Sequence, residues 1–414
     1  MSDCCSAPGL MAFEVALSQL LDNVYTTNSI KSISIENALG KVLADTVTSP
    51  VSVPPHNNSA MDGYAFKYSS LEQIAAGGGL QLAGRSFAGE PFTGVTQSGQ
   101  CIRIMTGAKL PDCCDTVVMQ ENTRVDKDTV VLTKSPSEKG NVRYKGEDIA
   151  QGVTVFEKGH KLSAVDIGMI ASLGIAKVKV FGDINVAILS TGDELRLPGE
   201  ELAEGDIYES NRFVLRPLLQ KLGVNILDFG IIRDDKEAIR QAFTKADQLA
   251  DVVISSGGVS VGEADYTKEV LSEIGEINFW KIAMKPGKPF AFGKLSNSVF
   301  FGLPGNPVSA LVTFYQLGVP GIEKMQGLNA KAKTRFKAAT TTKLKKSPGR
   351  MDFQRAVLSY DEQGMPIVTS TGSQGSGILT SLGRANSFIV LDKDQGTVEA
   401  GESVWVEPFS HLLM

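Results

Sequence analysis

Between residues 184 and 325, short apolar runs alternate with amphipathic stretches, and few architectures accept that order. Residues 184–190 (INVAILS), 224–232, 251–256 (DVVISS) and 300–303 read as buried strands. Between and after them, residues 210–222, 235–250, 266–274 and 308–325 repeat apolar side chains at helical spacing. A Ser/Asn pair opens the first helix and acidic residues open the second, as helix starts favour. Strand–helix alternation at this spacing predicts a doubly wound, mostly parallel α/β sheet over residues 179–327.

The chain of 414 residues is too long for one core. Residues 10–23 and 161–173 carry helical periodicity, and residues 32–47 read as a short extended segment followed by a helix. From 51 to 147 the apolar runs shorten and Gly and Pro become frequent, which predicts an inserted β-rich module. Residues 1–50 and 148–178 then form a helical and extended linking region, with part of the N-terminal helix free to pack on the α/β domain. After 328 five short strand patterns predict a small C-terminal β-barrel or sandwich.

Composition narrows the function. A net charge of -5 argues against a general nucleic-acid binder, whose affinity rests on neutralising phosphates. The basic stretch 331–346 reads as a solvated strand face. The five cysteines lack a disulfide framework or zinc spacing, and so read as reduced thiols. The first residues lack the pattern of a signal peptide, and no run of about 18 apolar residues spans a bilayer. The expectation is a cytoplasmic protein.

In an open α/β sheet, ligands bind beyond the carboxyl ends of the strands. Three turns there have suggestive chemistry. STGDEL (190–195) brings Ser190, Thr191 and Gly192, followed by Asp193 and Glu194, either of which suits a hard cation. SSGGVSVGEADY (255–266) offers Ser256, Gly257, Gly258 and Ser260 for close approach to an anion, with Asp265 near a helix start. GLPGNPVS (302–309) sets Pro304, Gly305, Asn306 and Pro307 between strand and helix, where helix-start amides favour negative charge. Beside these, KPGKP (285–289) holds Lys285 and Lys288 on a stiff loop, with Lys281 four residues earlier. Two acidic turns flank or enter the inserted module: NSAMDGYA with Asp62, and GED with Asp148. Thr106 lies in RIMTGAKLP of the same module.

Taken together and in this order, NSAMDGYA, RIMTGAKLP, GED, STGDEL, SGGVSVGEADY, KPGKP, GLPGNPVS and the later PGRMDFQR resemble the MoeA-type molybdopterin molybdenumtransferases, relatives of the gephyrin E domain. The resemblance extends over nearly the whole chain. It implies a homodimer with a shared active site. It also implies the last step of molybdenum cofactor synthesis, in which adenylylated molybdopterin and molybdate give Mo-molybdopterin and AMP with Mg2+. The molybdopterin adenylyltransferase becomes a candidate partner. The resemblance makes Glu194, Asp234 and Asp265 acidic residues of the cleft, with Glu194 and Asp265 chosen for Mg2+. Asp62, Thr106 and Asp148 become functional positions supplied by the partner subunit. Lys281, Lys285, Pro304 and Pro307 fall near the bound cofactor, and Arg355 and Ser376 at the molybdate end.

Overall fold

A computed structural model describes residues 9–74, 78–257, 266–329 and 332–414. The chain divides into two compact units. One comprises residues 1–31, 40–44 and 180–414; the other comprises 32–39 and 45–179.

The larger unit holds the α/β sheet. Its elements are α1 (Phe13–Asn23), β1 (Asn185–Thr191), α2 (Asn211–Leu222), β2 (Asn225–Ile232), α3 (Lys236–Leu249), β3 (Val252–Ser256), α4 (Tyr266–Ile274), β4 (Glu276–Lys281), β5 (Pro289–Lys294), β6 (Val299–Leu303) and α5 (Pro307–Thr313). The sheet order is β2-β1-β3-β6-β5-β4. The pairs β2–β1, β1–β3 and β3–β6 are parallel, whereas β6–β5 and β5–β4 are antiparallel. The sheet is mostly parallel, as expected, and β4 and β5 add a hairpin that the spacing of helices does not announce.

Strand periodicity explains the two-sided core. Val186 and Ile188 of β1 face one way and pack with α1, α2 and the α5 region. Ala187 and Leu189 face the other way, against Ile239 and Phe243 of α3 and Val270 and Leu271 of α4. All four β1 side chains are buried, the pattern of a strand covered by helices on both faces. Asp235 begins α3 by accepting a hydrogen bond from the Ala238 N–H at 2.8 Å, and Gly223 ends α2 at φ 76°, a left-handed conformation that suits glycine.

The C-terminal strands β7 (Phe336–Thr340), β8 (Met351–Tyr360), β9 (Pro366–Ser370), β10 (Ser387–Leu391) and β11 (Ser403–Pro408) close on themselves in the order β8-β9-β7-β11-β10-β8. Of the two expected forms, barrel and sandwich, this is the barrel. Its core continues into that of the sheet: Phe13 of α1 meets Phe353 of β8 edge to face, 5.5 Å between ring centres. The basic stretch 331–346, which includes β7, is solvated only in part. Lys333 and Arg335 pair with the buried Glu407, and Lys346 is itself buried.

The second unit is built on a six-stranded sheet ordered Thr116–Met119, Gly63–Phe66, Gln100–Ile104, Leu80–Ser86, Thr129–Leu132, Thr123–Asp126. Its chain arrives and departs side by side, since Val47–Thr48 pairs antiparallel with Thr154–Phe156 and Val53 bridges Ile149. Helix Ala164–Ser172 follows, opened by a reciprocal cap between Ser163 and Asp166.

The helix expected within residues 32–47 is absent. A single short turn, Ile35–Asn37, precedes Gly40 at φ 74°, and the chain is then extended. Leu43 bridges Val180, and the Phe181 N–H donates to the Val42 carbonyl. Tertiary pairing satisfies this backbone in place of helical bonds.

Candidate functional site

The strand order reverses at β1: its connection through α2 leads to β2 on one side, and β3 lies on the other. A cleft of about 650 Å³ opens at the carboxyl ends of β1, β3 and β6. This is where open α/β sheets leave room for ligands, because adjacent loops diverge there. Among the expected residues, Ser190, Thr191, Gly192, Glu194, Asp234, Ser256, Gly257, Pro304, Gly305, Asn306 and Pro307 line it. Gly258, Ser260 and Asp265 lie outside the described residues.

Close packing at its base requires glycine at two positions. Gly257 has φ 91°, and a Cβ there would meet the Thr191 carbonyl oxygen at 2.7 Å. Gly192 has φ 145°, and its Cβ would lie 2.6 Å from the Glu194 Oε2. The Glu194 carboxylate therefore folds back over its own turn.

The acidic side of the cleft is electrostatically unbalanced. The Asp234 N–H donates to Asp193 Oδ1 at 3.1 Å. Partial burial, followed by the negative charges of Asp193 and Glu194, pushes the Asp234 carboxyl above its ordinary range. Hard oxygen donors carrying uncompensated negative charge have the chemistry that Mg2+ demands. No group of three or more acidic, His or Cys side chains among the described residues is arranged to enclose a metal.

The cleft also contains residues that motif reading passes over. Glu209 is buried; its Oε1 accepts from Ser190 Oγ at 3.2 Å and from the Arg212 N–H at 2.7 Å. Asn211, the first residue of α2, donates from Nδ2 to Ser256 Oγ and to the Gly305 carbonyl, both at 2.7 Å. It thus ties the ends of β3 and the Pro304–Pro307 turn to α2. In sequence these two residues look like helix-start capping, the commoner use of such side chains. Only the contacts of Asn211 across 45 and 94 residues, and of Glu209 across 19, reveal the wider role.

The turn before α5 offers fewer free amides than its sequence suggests. Pro307 has no N–H, and the Val308 N–H donates to the Ser376 carbonyl at 3.0 Å. Ser376 thereby docks a barrel loop on the start of α5. Arg355 is fully buried and organises the same loop, with Nε donating to Ser381 Oγ at 3.0 Å and an Nη to the Gly375 carbonyl at 3.1 Å. Burial pushes the guanidinium down to about 10, partly opposed by the Asp352 charge. Neither residue lines the cleft. Lys281, Lys285 and Lys288 do not line it either; Lys281 ends β4, and its carbonyl accepts from the Met11 N–H. Lys285 lies 3.7 Å from the buried Asp352 of β8. Pro289, which closes that loop, does reach the cleft.

In the second unit, Asp62 and Thr106 form a pair. The Thr106 N–H and Oγ1 both donate to Asp62 Oδ1 at 2.7 Å, holding that carboxyl below its usual range. Asp148 is exposed on the turn that returns to Val53, whose carbonyl accepts its N–H at 3.1 Å. Cys113 and Cys114 are unlinked, with sulfurs 4.0 Å apart, and Cys101 is a buried thiol pushed up to about 12 by desolvation.

Comparison with known proteins converges on one group. Residues 11–174 match the family described as MoeA N-terminal region (domain I and II), residues 187–324 the probable molybdopterin binding domain, and residues 337–409 the MoeA C-terminal region (domain IV). The chain is 46% identical to a molybdopterin molybdenumtransferase of Haemophilus influenzae, over 98% of this chain and 100% of the relative. It is 32% identical to a gephyrin of Dictyostelium discoideum over 95% of this chain and 61% of that longer protein. A molybdopterin biosynthesis MoeA protein structure from Pyrococcus horikoshii OT3 superposes with a TM-score of 0.84 at 28% identity, covering 97% of this chain and all of that one.

Proposed function

The chain belongs to the MoeA family of molybdopterin molybdenumtransferases, and from that premise we propose that its α/β cleft carries molybdenum insertion into adenylylated molybdopterin, releasing AMP. The observation that carries this reading is the meeting of three strand-end turns in one cleft, with hydroxyls at its base and carboxylates on one side. Such a site suits a pyrophosphate accompanied by a divalent cation.

Glu194 and Asp265 would hold Mg2+, and its positive charge would offset the like-charge crowding around Asp234. When bound, Mg2+ supplies Lewis-acid polarisation of the pyrophosphate and steadies the departing AMP. Ser190, Thr191 and Ser256 orient phosphate oxygens from the base of the cleft. Lys281, Lys285 and Lys288 provide positive potential at its approach, where molybdate, a dianion, must come close to a second anion. Arg355 and Ser376 shape the barrel loop docked on α5. In this reading two copies of the chain form a homodimer, each lending Asp62, Thr106 and Asp148 to the other's site. The four-part division of the chain, with residues 51–147 as an insertion, follows the same reading, as do a cytoplasmic setting and the adenylyltransferase as a partner. No helix among the described residues is long and apolar enough to cross a membrane.

The test is reconstitution with purified protein, adenylylated molybdopterin, molybdate and Mg2+. AMP and Mo-molybdopterin appear together if the reading is right. Formation of adenylylated molybdopterin from ATP and molybdopterin, without metal insertion, would replace it with an adenylyltransferase. Asp265→Asn is expected to keep the fold and lose AMP release.

A further inference from the structure

Asn211 is one of the residues that line the cleft, and it leaves one half of its amide unused. Its orientation is fixed chemically: the Gly305 carbonyl can only accept, so the branch facing it at 2.7 Å must be the Nδ2 donor. The other branch, Oδ1, is buried and has no hydrogen-bond partner among the described residues. The side chain lines the cleft and the residue is only 9% exposed. Thr191 Oγ1, on the same cleft, is likewise buried and unpartnered. An orphaned buried acceptor is costly, so a native protein keeps one where an ordered water or a ligand completes it.

We propose that Asn211 is a specificity-determining residue whose Oδ1 accepts a hydrogen bond from an N–H group on the ligand's heterocycle. This rests on the functional reading of the cleft given above. A carbonyl oxygen repels phosphate and molybdate, so the group it meets belongs to the neutral part of the ligand. Adenylylated molybdopterin has two rings with exocyclic amino groups, adenine and pterin, and both offer the required donor. The clamp from Nδ2 to Ser256 and Gly305 sets the oxygen in place before the ligand arrives, which limits the ordering cost of binding.

The test uses two pairs of probes on the full chain with Mg2+: AMP against IMP, and pterin against lumazine. In each pair an amino donor is replaced by a keto acceptor. The wild type is expected to favour the amino member of one pair by about tenfold or more, and that pair identifies the ring. Asn211→Ala is expected to abolish the preference while changing the keto member's Kd by less than about threefold. Ser256→Ala, which removes part of the clamp and leaves Oδ1, keeps the preference. Equal weakening of both members by Asn211→Ala would make the residue a structural clamp only and overturn the proposal. So would a wild type with no preference in either pair, which needs no variant to fold. A wild type that binds none of the four probes and forms no Mo-molybdopterin would overturn the reading of the cleft itself, and this assignment with it.

Discussion

Asp62 and Asp234 are both acidic residues on loops, yet their surroundings push them in opposite directions. Asp62 receives two donors from Thr106 and is held ionised. Asp234 stands beside Asp193 and Glu194, and its charged form is disfavoured. The difference teaches what each can do. A carboxylate whose oxygen is already satisfied by its own unit is a fixed, oriented charge. One crowded by like charges has a use for a cation, which would turn repulsion into coordination.

The largest effect on this comparison comes from the frameworks behind the two residues. Phe300→Ala empties the face of β6 against α3, where Phe300 meets Phe243 at 5.6 Å, and should cost about 3–5 kcal/mol in denaturant unfolding. Ile102→Ala, in the buried core of the sheet bearing Asp62, should cost about 2–5 kcal/mol. Next in size, Glu194→Gln should reduce Mg2+ affinity or AMP release by about 10–100-fold with little change in melting temperature. An unaltered Mg2+ dependence would remove Glu194 from the metal site.

Smaller effects sharpen the electrostatics. Asp193→Asn removes the first of the two like charges acting on Asp234, so its carboxyl should titrate lower when followed by NMR. Thr106→Val removes one of the two donors to Asp62, so that carboxyl should move up towards the usual value of about 3.9. If both pKa values stay put, these neighbours do not set the two carboxyls apart. The smallest effect concerns Asp183, whose contacts with Lys41 and Lys31 lower its pKa. A depressed carboxyl contributes stability above its unfolded pKa and loses it as pH falls through the folded one. Lys41→Met should therefore reduce stability at neutral pH by about 0–1 kcal/mol, a difference that fades in acid below the Asp range.

The fold was legible where one element gives one period. INVAILS and DVVISS become β1 and β3 because a parallel strand covered on both faces must be apolar throughout. The segment 32–47 misled because Val42, Leu43 and Ala44 are buried while extended, through partners about 140 residues away. The site was legible in its strand-end turns, where composition departs from ordinary capping. Asn211 and Glu209 were not, because residues of their type normally serve the helix they begin. The lysines of KPGKP and Arg355 could be recognised as cations, but not that Lys285 lies beside Asp352 or that Arg355 is buried behind a loop.

The most direct test of the cleft as the insertion site is a single-turnover measurement of AMP and Mo-molybdopterin from adenylylated molybdopterin, molybdate and Mg2+, with wild type and Glu194→Gln side by side. Equal amounts of the two products are expected from the wild type, and a loss of about 10–100-fold in both from a variant that melts at the same temperature. A correctly folded Glu194→Gln protein that releases both products at the wild-type rate would contradict it.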